Sequence, residues 1–390
     1  MKIIRPIFKF AACLAGAIPL WLIATNLFAQ NPSADDSQSI LSIDHYVNQV
    51  SSVPSIQGQH TQLYVRERVR PATIVRGGDL EGRVALFVHG AGTPAEVAFD
   101  VPYQDYSWMA YLAAADFDVF SVDMTGYGRS TRPTIMNDPC NLSEDAQRGL
   151  GIGVARGRCA PSHVGSATTI ESDWADIDAA VDYIRELRGV DRVHLLGWSL
   201  GGPRAGGYSA RNPEKVGRLV LLAPAYSRDS AAEAPAAPDQ RPAMTSQSRS
   251  DYLAGWGGPE SCPNQHDPVV DSVVFSEMLK SDPVGATWGS GIRRAPNVVT
   301  WGWNQQAVRR SMTPLLAIAA IYDVNVLPDR VRELYADYGA DQKVLIDLGC
   351  ASHRAMWEHV HGPMFEASLE WLQSGTVNGE SSGVVRMGYR

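Results

Sequence analysis

The residues best suited to chemistry gather around one serine. Gly197-Trp198-Ser199-Leu200-Gly201-Gly202 follows a strand-like apolar run and precedes a helical segment reaching Arg211. A Gly-x-Ser-x-Gly at such a junction forces the serine into a sharp turn, with glycines where side chains would collide. Its hydroxyl then stands exposed at the start of the helix. A serine at its ordinary pKa is a poor nucleophile and needs a base held by an acid. Both follow in the order Ser, acid, His: Asp323 after the run 314–321, and His353 after the run 343–348. In that arrangement His353 takes the proton from Ser199 and returns it to the leaving group, while Asp323 fixes the histidine tautomer.

Other residues compete for these roles. Asp229 follows a strand-like run and is the main rival acid; Asp329 reads as a first-turn helix acid, and Asp347 lies inside a strand. His359 and His361 lack partners at metal-ligand spacing and read as helix-surface residues. The glycine-rich stretch 149–153 has neither a preceding strand nor a following helix, so it does not read as a phosphate loop.

The elements that must position Ser199, Asp323 and His353 are strands. Short apolar runs at 83–88, 118–122, 192–196, 219–222, 314–321 and 343–348 alternate with helical periodicity. This predicts an α/β fold with a mostly parallel, doubly wound sheet. Asp323 and His353 leave the carboxyl ends of strands, where open α/β sheets carry their sites. Trp174, Ile177, Val181, Ile184 and Leu187 form one apolar stripe of a helix ending at Gly189 and read as core.

Two stretches break the alternation. Residues 131–170 are rich in Gly, Pro and Asn; residues 226–312 open with an Ala/Pro/Ser/Asp linker and carry Trp256, Trp288, Trp301 and Trp303. Four tryptophans bring too much apolar area to leave in water, so they are expected to line a cap over a pocket. The expected division is 30–225 with 313–390 as core and 226–312 as inserted cap.

Residues 1–29 read as a secretory signal peptide, with Lys2, Arg5 and Lys9 before an apolar run and a cut expected after Ala29. The product is expected in the periplasm or outside the cell, without stable membrane insertion. Cys13 leaves with the leader, and Cys140, Cys159, Cys262 and Cys350 remain, an even number for an oxidising compartment. Of three connectivities, Cys140–Cys159 is favoured because its loop is short, leaving Cys262–Cys350.

The 390 residues carry 42 Asp+Glu against 34 Lys+Arg, a net charge of −8, without the basic patch that nucleic acid would need. A small-molecule substrate is the expected partner, and neither metal nor cofactor is implied.

Taken together, Val88-His89-Gly90, Asp123-Met-Thr-Gly126-Tyr-Gly128-Arg-Ser130, the Ser199 turn, and Asp323 with His353 resemble the α/β-hydrolase fold superfamily over roughly residues 64–375. The resemblance implies a cap domain between the strands before residue 226 and after residue 312. It also implies an oxyanion hole from the backbone N–H of Leu200 and that of Ala91, with Gly92 as the alternative second donor, because His-Gly-Ala-Gly departs from the His-Gly-Gly-Gly of many lipases. Relatives with an aspartate at the elbow form alkyl-ester intermediates, whereas a serine implies an acyl-enzyme. The leading expectation is a serine esterase or lactonase. A carbon-carbon (β-ketone) hydrolase and a non-catalytic binding protein are the alternatives. Trp198, Trp357 and the cap tryptophans are expected to contact a bulky apolar or aromatic substrate.

Overall fold

Runs that are apolar on both faces become the middle of the sheet. A computed structural model of the chain describes residues 39–75, 80–151, 159–237, 239–254 and 262–389. The expected leader 1–29, with Cys13, lies outside the described residues, as does Trp256. The main sheet contains β1 (Leu41–Val50), β2 (His60–Val69), β3 (Val84–Val88), β4 (Asp118–Val122), β5 (Val193–Trp198), β6 (Val216–Leu222), β7 (Leu315–Ala320), β8 (Lys343–Leu348) and β9 (Gly383–Met387). Their order is β1-β2-β4-β3-β5-β6-β7-β8-β9. The pairs β1–β2 and β2–β4 are antiparallel and the rest parallel. Every residue of β3, β4, β5 and β7 is buried, as a sheet covered on both faces requires.

Two apolar layers cover the sheet, one around Phe87, Trp108 and Phe365, the other around Leu86, Ile177 and Tyr208. The tryptophan-led stripe lies on the helix Ile170–Arg188. Thr169 starts this helix with a capping box, and Gly189 ends it in the left-handed region at φ 64°. The strands β1, β2 and β9 were not read from the sequence.

The two irregular stretches fold against each other. In the second, Met244–Ser248 pairs antiparallel with Ile292–Pro296, and Val298–Val299 pairs with Thr168–Thr169 of the first. Met136, Leu142, Ala167, Ala243 and Met244 form a separate small core between them. The disulfides Cys140–Cys159 and Cys262–Cys350 are both formed. The first closes the 131–170 excursion; the second joins the larger insertion to the loop before His353.

Candidate active site

Strand β5 ends at Trp198, and the chain turns so tightly that Ser199 takes φ 58°. This is left-handed backbone that a serine adopts only where the surroundings enforce it. Ser199 N–H donates to Leu222 O at 3.0 Å, and its carbonyl accepts from Gly202 and Ala225 N–H at 2.9 Å each. The flanking glycines are packing requirements: a Cβ on Gly197 would lie 2.5 Å from Gly201 O, and one on Gly201 would lie 2.5 Å from Val88 O. The helix that follows begins with a π turn, Gly202–Gly206.

Ser199 Oγ lies 2.9 Å from His353 Nε2, and His353 Nδ1 lies 2.7 Å from Asp323 Oδ2. The other carboxylate oxygen accepts the N–H groups of Asn325 and Val326 at 2.7 and 2.9 Å, which fixes the carboxylate plane. Asp323 is 3% exposed and His353 8%. An N–H at Nδ1 donated to a buried carboxylate leaves Nε2 as the acceptor facing the hydroxyl. The rival acids lie elsewhere: Asp229 is exposed, while Asp329 and Asp347 both pair with Arg332. His359 is exposed, and His361 bonds the Glu358 carbonyl.

The loop after β3 passes directly beneath the serine. A Cβ on Gly90 would lie 2.8 Å from Ser199 Cβ, so Ala91 follows the point of closest approach. A fully buried guanidinium holds this loop. Arg204, paired with Asp173 at 2.7 Å, donates through Nη1 to the carbonyls of His89 and Gly90 at 3.0 and 2.9 Å. His89 Nε2 accepts from Met124 N–H at 3.1 Å, so Nδ1 carries the proton it gives to Gly90 O at 2.7 Å. Burial, and then Arg204, hold its pKa well below the usual imidazole range, which keeps the ring neutral. Sequence reasoning missed Arg204; the signal was an arginine among the small residues directly after the elbow.

The tryptophans divide. Trp301 and Trp303 line a 210 Å³ cleft that also touches Leu200 and Tyr226. Trp198 is nearly buried, and its indole N–H donates to His353 O at 2.7 Å. Trp357 is a correction: it is fully buried behind Trp198, bonded to Ala98 O at 3.0 Å, and presents no surface to a substrate. Trp288 is committed to the small core between the insertions, under the Arg294 guanidinium.

The profile of the alpha/beta hydrolase fold family matches residues 86–310. A poly(3-hydroxyalkanoate) polymerase subunit, PhaC, from Allochromatium vinosum is 52% identical over 46 residues, 12% of this chain and 13% of that one. A (lyso)-N-acylphosphatidylethanolamine lipase from Mus musculus is 30% identical over 102 residues, 26% of this chain and 21% of the lipase. The aligned segments thus span less than a quarter of either relative. Among solved structures, a thermophilic esterase from Thermogutta terrifontis superposes with a TM-score of 0.51 at 15% identity, covering 84% of this chain and 98% of that one.

Proposed function

Since this chain belongs to the alpha/beta hydrolase fold family, we propose that it is a serine hydrolase cleaving a carboxylic ester or lactone through Ser199, His353 and Asp323. The observation that carries this reading is the unbroken line of contacts from Asp323 Oδ2 through the imidazole to Ser199 Oγ. His353 Nε2 accepts the serine proton as Oγ attacks the acyl carbon, and Asp323 stabilises the imidazolium that forms. The N–H groups of Leu200 and Ala91 receive the developing oxyanion. Ala91 is favoured over Gly92 because the Gly92 N–H already donates to the Tyr127 hydroxyl at 3.4 Å. The imidazolium then protonates the departing alcohol, and the same base activates water to release the acid.

Residues 226–312 act in this reading as a cap, joined by the 131–170 excursion that pairs with it. The expectation of a bulky apolar or aromatic substrate now rests on Trp301 and Trp303, which border the cleft beside Leu200. Export, with removal of residues 1–29, is supported by the two disulfides, which persist in oxidising compartments. No helix among the described residues is long and apolar enough to cross a membrane.

A fluorophosphonate probe tests the nucleophile. It should label the wild-type protein and leave Ser199→Ala unlabelled; equal labelling of the two would place the reactive group elsewhere and remove the proposal, and a wild type that takes no label would favour a non-catalytic relative of the fold. A panel of esters, lactones and β-diketones then identifies the bond cleaved, and turnover confined to the β-diketones would replace the ester reading with carbon-carbon hydrolysis.

A further inference from the structure

Strand Ile292–Pro296 of the larger insertion carries two consecutive arginines, and consecutive strand residues face opposite ways. Arg294 is fully buried as a side chain and chelates Asp282 through Nε and Nη2 at 2.8 and 2.6 Å. Arg293 has the contrasting environment. Its cross-strand partner is Gln247, whose Oε1 accepts from Arg293 Nε at 2.6 Å. Among the described residues no carboxylate pairs with it, and neither of its Nη groups has a hydrogen-bond partner.

The Arg293 guanidinium lies against the loop beneath the serine. A Cβ on Gly92 would fall 1.5 Å from Nη1, so only glycine admits the arginine at this place. Gly92 is two residues beyond Gly90, the residue facing Ser199 Cβ. The side chain is partly exposed, so the guanidinium is covered without being sealed off. Burial, with the Tyr127 and Tyr252 phenols opposing it and Arg354 adding to it, brings the Arg293 pKa down to about 10.

A desolvated cation next to another arginine is costly unless an anion completes it. Gln247 pins Nε and leaves the two Nη groups as a fork, the geometry that grips a carboxylate with two parallel hydrogen bonds. We propose that Arg293 receives a carboxylate of the substrate, so that the esters or lactones cleaved at Ser199 carry a negative charge near the reacting carbonyl. This deepens the serine-hydrolase reading and rests on it for the position of the reacting bond. Arg293 is a specificity residue in this scheme: it holds the substrate's charge and takes no part in proton transfer.

Two measurements test it. The first needs no turnover: monomethyl glutarate should raise the melting temperature of Ser199→Ala, and this rise should vanish in Ser199→Ala/Arg293→Gln. The second compares wild type, Arg293→Gln and Arg293→Lys on three chromogenic esters: a neutral p-nitrophenyl butyrate, a mono-p-nitrophenyl glutarate with the charge on the acyl side, and a 3-carboxy-4-nitrophenyl butyrate with the charge on the leaving group. Arg293→Gln should lower kcat/KM at least tenfold more on one of the charged esters than on the neutral one, mainly through KM, as expected for loss of a charge-assisted hydrogen bond. Arg293→Lys should recover part of the loss, and the ester affected says which side carries the charge. Equal losses on all three esters together with an Arg293-independent thermal shift would overturn the proposal. An Arg293-dependent shift in a protein that cleaves no ester would keep the anion site and overturn the hydrolase reading instead.

Discussion

The residue before Ser199 holds the residue that faces its hydroxyl: the indole N–H of Trp198 donates to the carbonyl of His353 at 2.7 Å. The turn that exposes Ser199 and the loop that delivers the imidazole are therefore tied by one hydrogen bond, with the Trp198 and His353 rings 5.4 Å apart. Trp198→Phe keeps most of the ring packing and removes the donor. It should slow fluorophosphonate labelling and kcat by roughly tenfold, with KM nearly unchanged, because a misplaced base is felt in the transition state. Trp357→Phe removes a similar indole bond, to Ala98 O, away from the histidine, and should lower melting temperature more than kcat. Equal kinetic effects of the two variants would deny Trp198 its positioning role.

The acid is tested by comparison. Asp323 bonds His353 with one oxygen and two backbone N–H groups with the other, so asparagine must turn its amide N–H₂ toward a donor on one side. Asp323→Asn should cost roughly three to four orders of magnitude in kcat through loss of the correct tautomer. Asp229 is exposed, and Asp229→Asn should stay within about twofold of wild type. Steady-state kinetics of the purified pair decide the matter, and the reverse ranking would move the acid to the end of β6.

How far the sequence could be read follows from which contacts are local. The parallel strands β3 to β8 are legible because burial on both faces makes them nearly continuous apolar runs, and the elbow because close backbone approaches admit only glycine at Gly197 and Gly201. The strands β1 and β2 are not, because their polar residues find partners far along the chain. Glu67, near the end of β2, is fully buried, but it is bonded to Arg188 at 2.6 Å and His45 at 2.7 Å. Strand β9 lies at the sheet edge with Val384 exposed, and its core face is no more than the partly buried Val385 and Met387, too short a pattern to mark a strand. Arg204 and Arg293 were passed over for the same reason: a charge reads as surface until the distant group that buries it, Asp173 or the loop at Gly92, is seen beside it.

Disulfide reduction should affect the two bridges unequally. Cys262–Cys350 closes a separation of 88 residues and ends three residues before His353, whereas Cys140–Cys159 closes only 19. In the chain-entropy account the longer loop contributes about 1 kcal/mol more. It also tethers the loop carrying His353. Cys262→Ser/Cys350→Ser should lose both melting temperature and kcat, while Cys140→Ser/Cys159→Ser should lose melting temperature with a smaller change in kcat. Thermal denaturation and turnover of the two double variants make the comparison, and equal kcat losses would remove the link between the longer bridge and His353.

The last prediction concerns pH and a buried carboxyl group beside the turn after β4. Asp176 is 2% exposed; it accepts from Thr125 N–H at 2.7 Å, just after β4, and from the Gln49 amide at 2.6 Å. Burial raises its pKa from 3.8 to about 7, with the Thr125 and Gln49 bonds only partly opposing the shift. Between those two values the folded protein keeps a proton that the unfolded chain has released. The contribution of Asp176 to stability therefore falls as pH rises through this window, by about 1.4 kcal/mol per unit, and is constant above it. Asp176→Asn removes the titration, and Gln49 can rotate its amide to present oxygen to the new N–H₂. Relative to wild type, the variant should gain stability between pH 5 and pH 7, on the order of 2 kcal/mol. Subtracting the two proteins at each pH cancels the other titrating groups. Urea denaturation at pH 5, 6, 7 and 8 gives the curve, and a difference that stays flat or falls toward pH 7 would mean that Asp176 is already ionised in the folded protein.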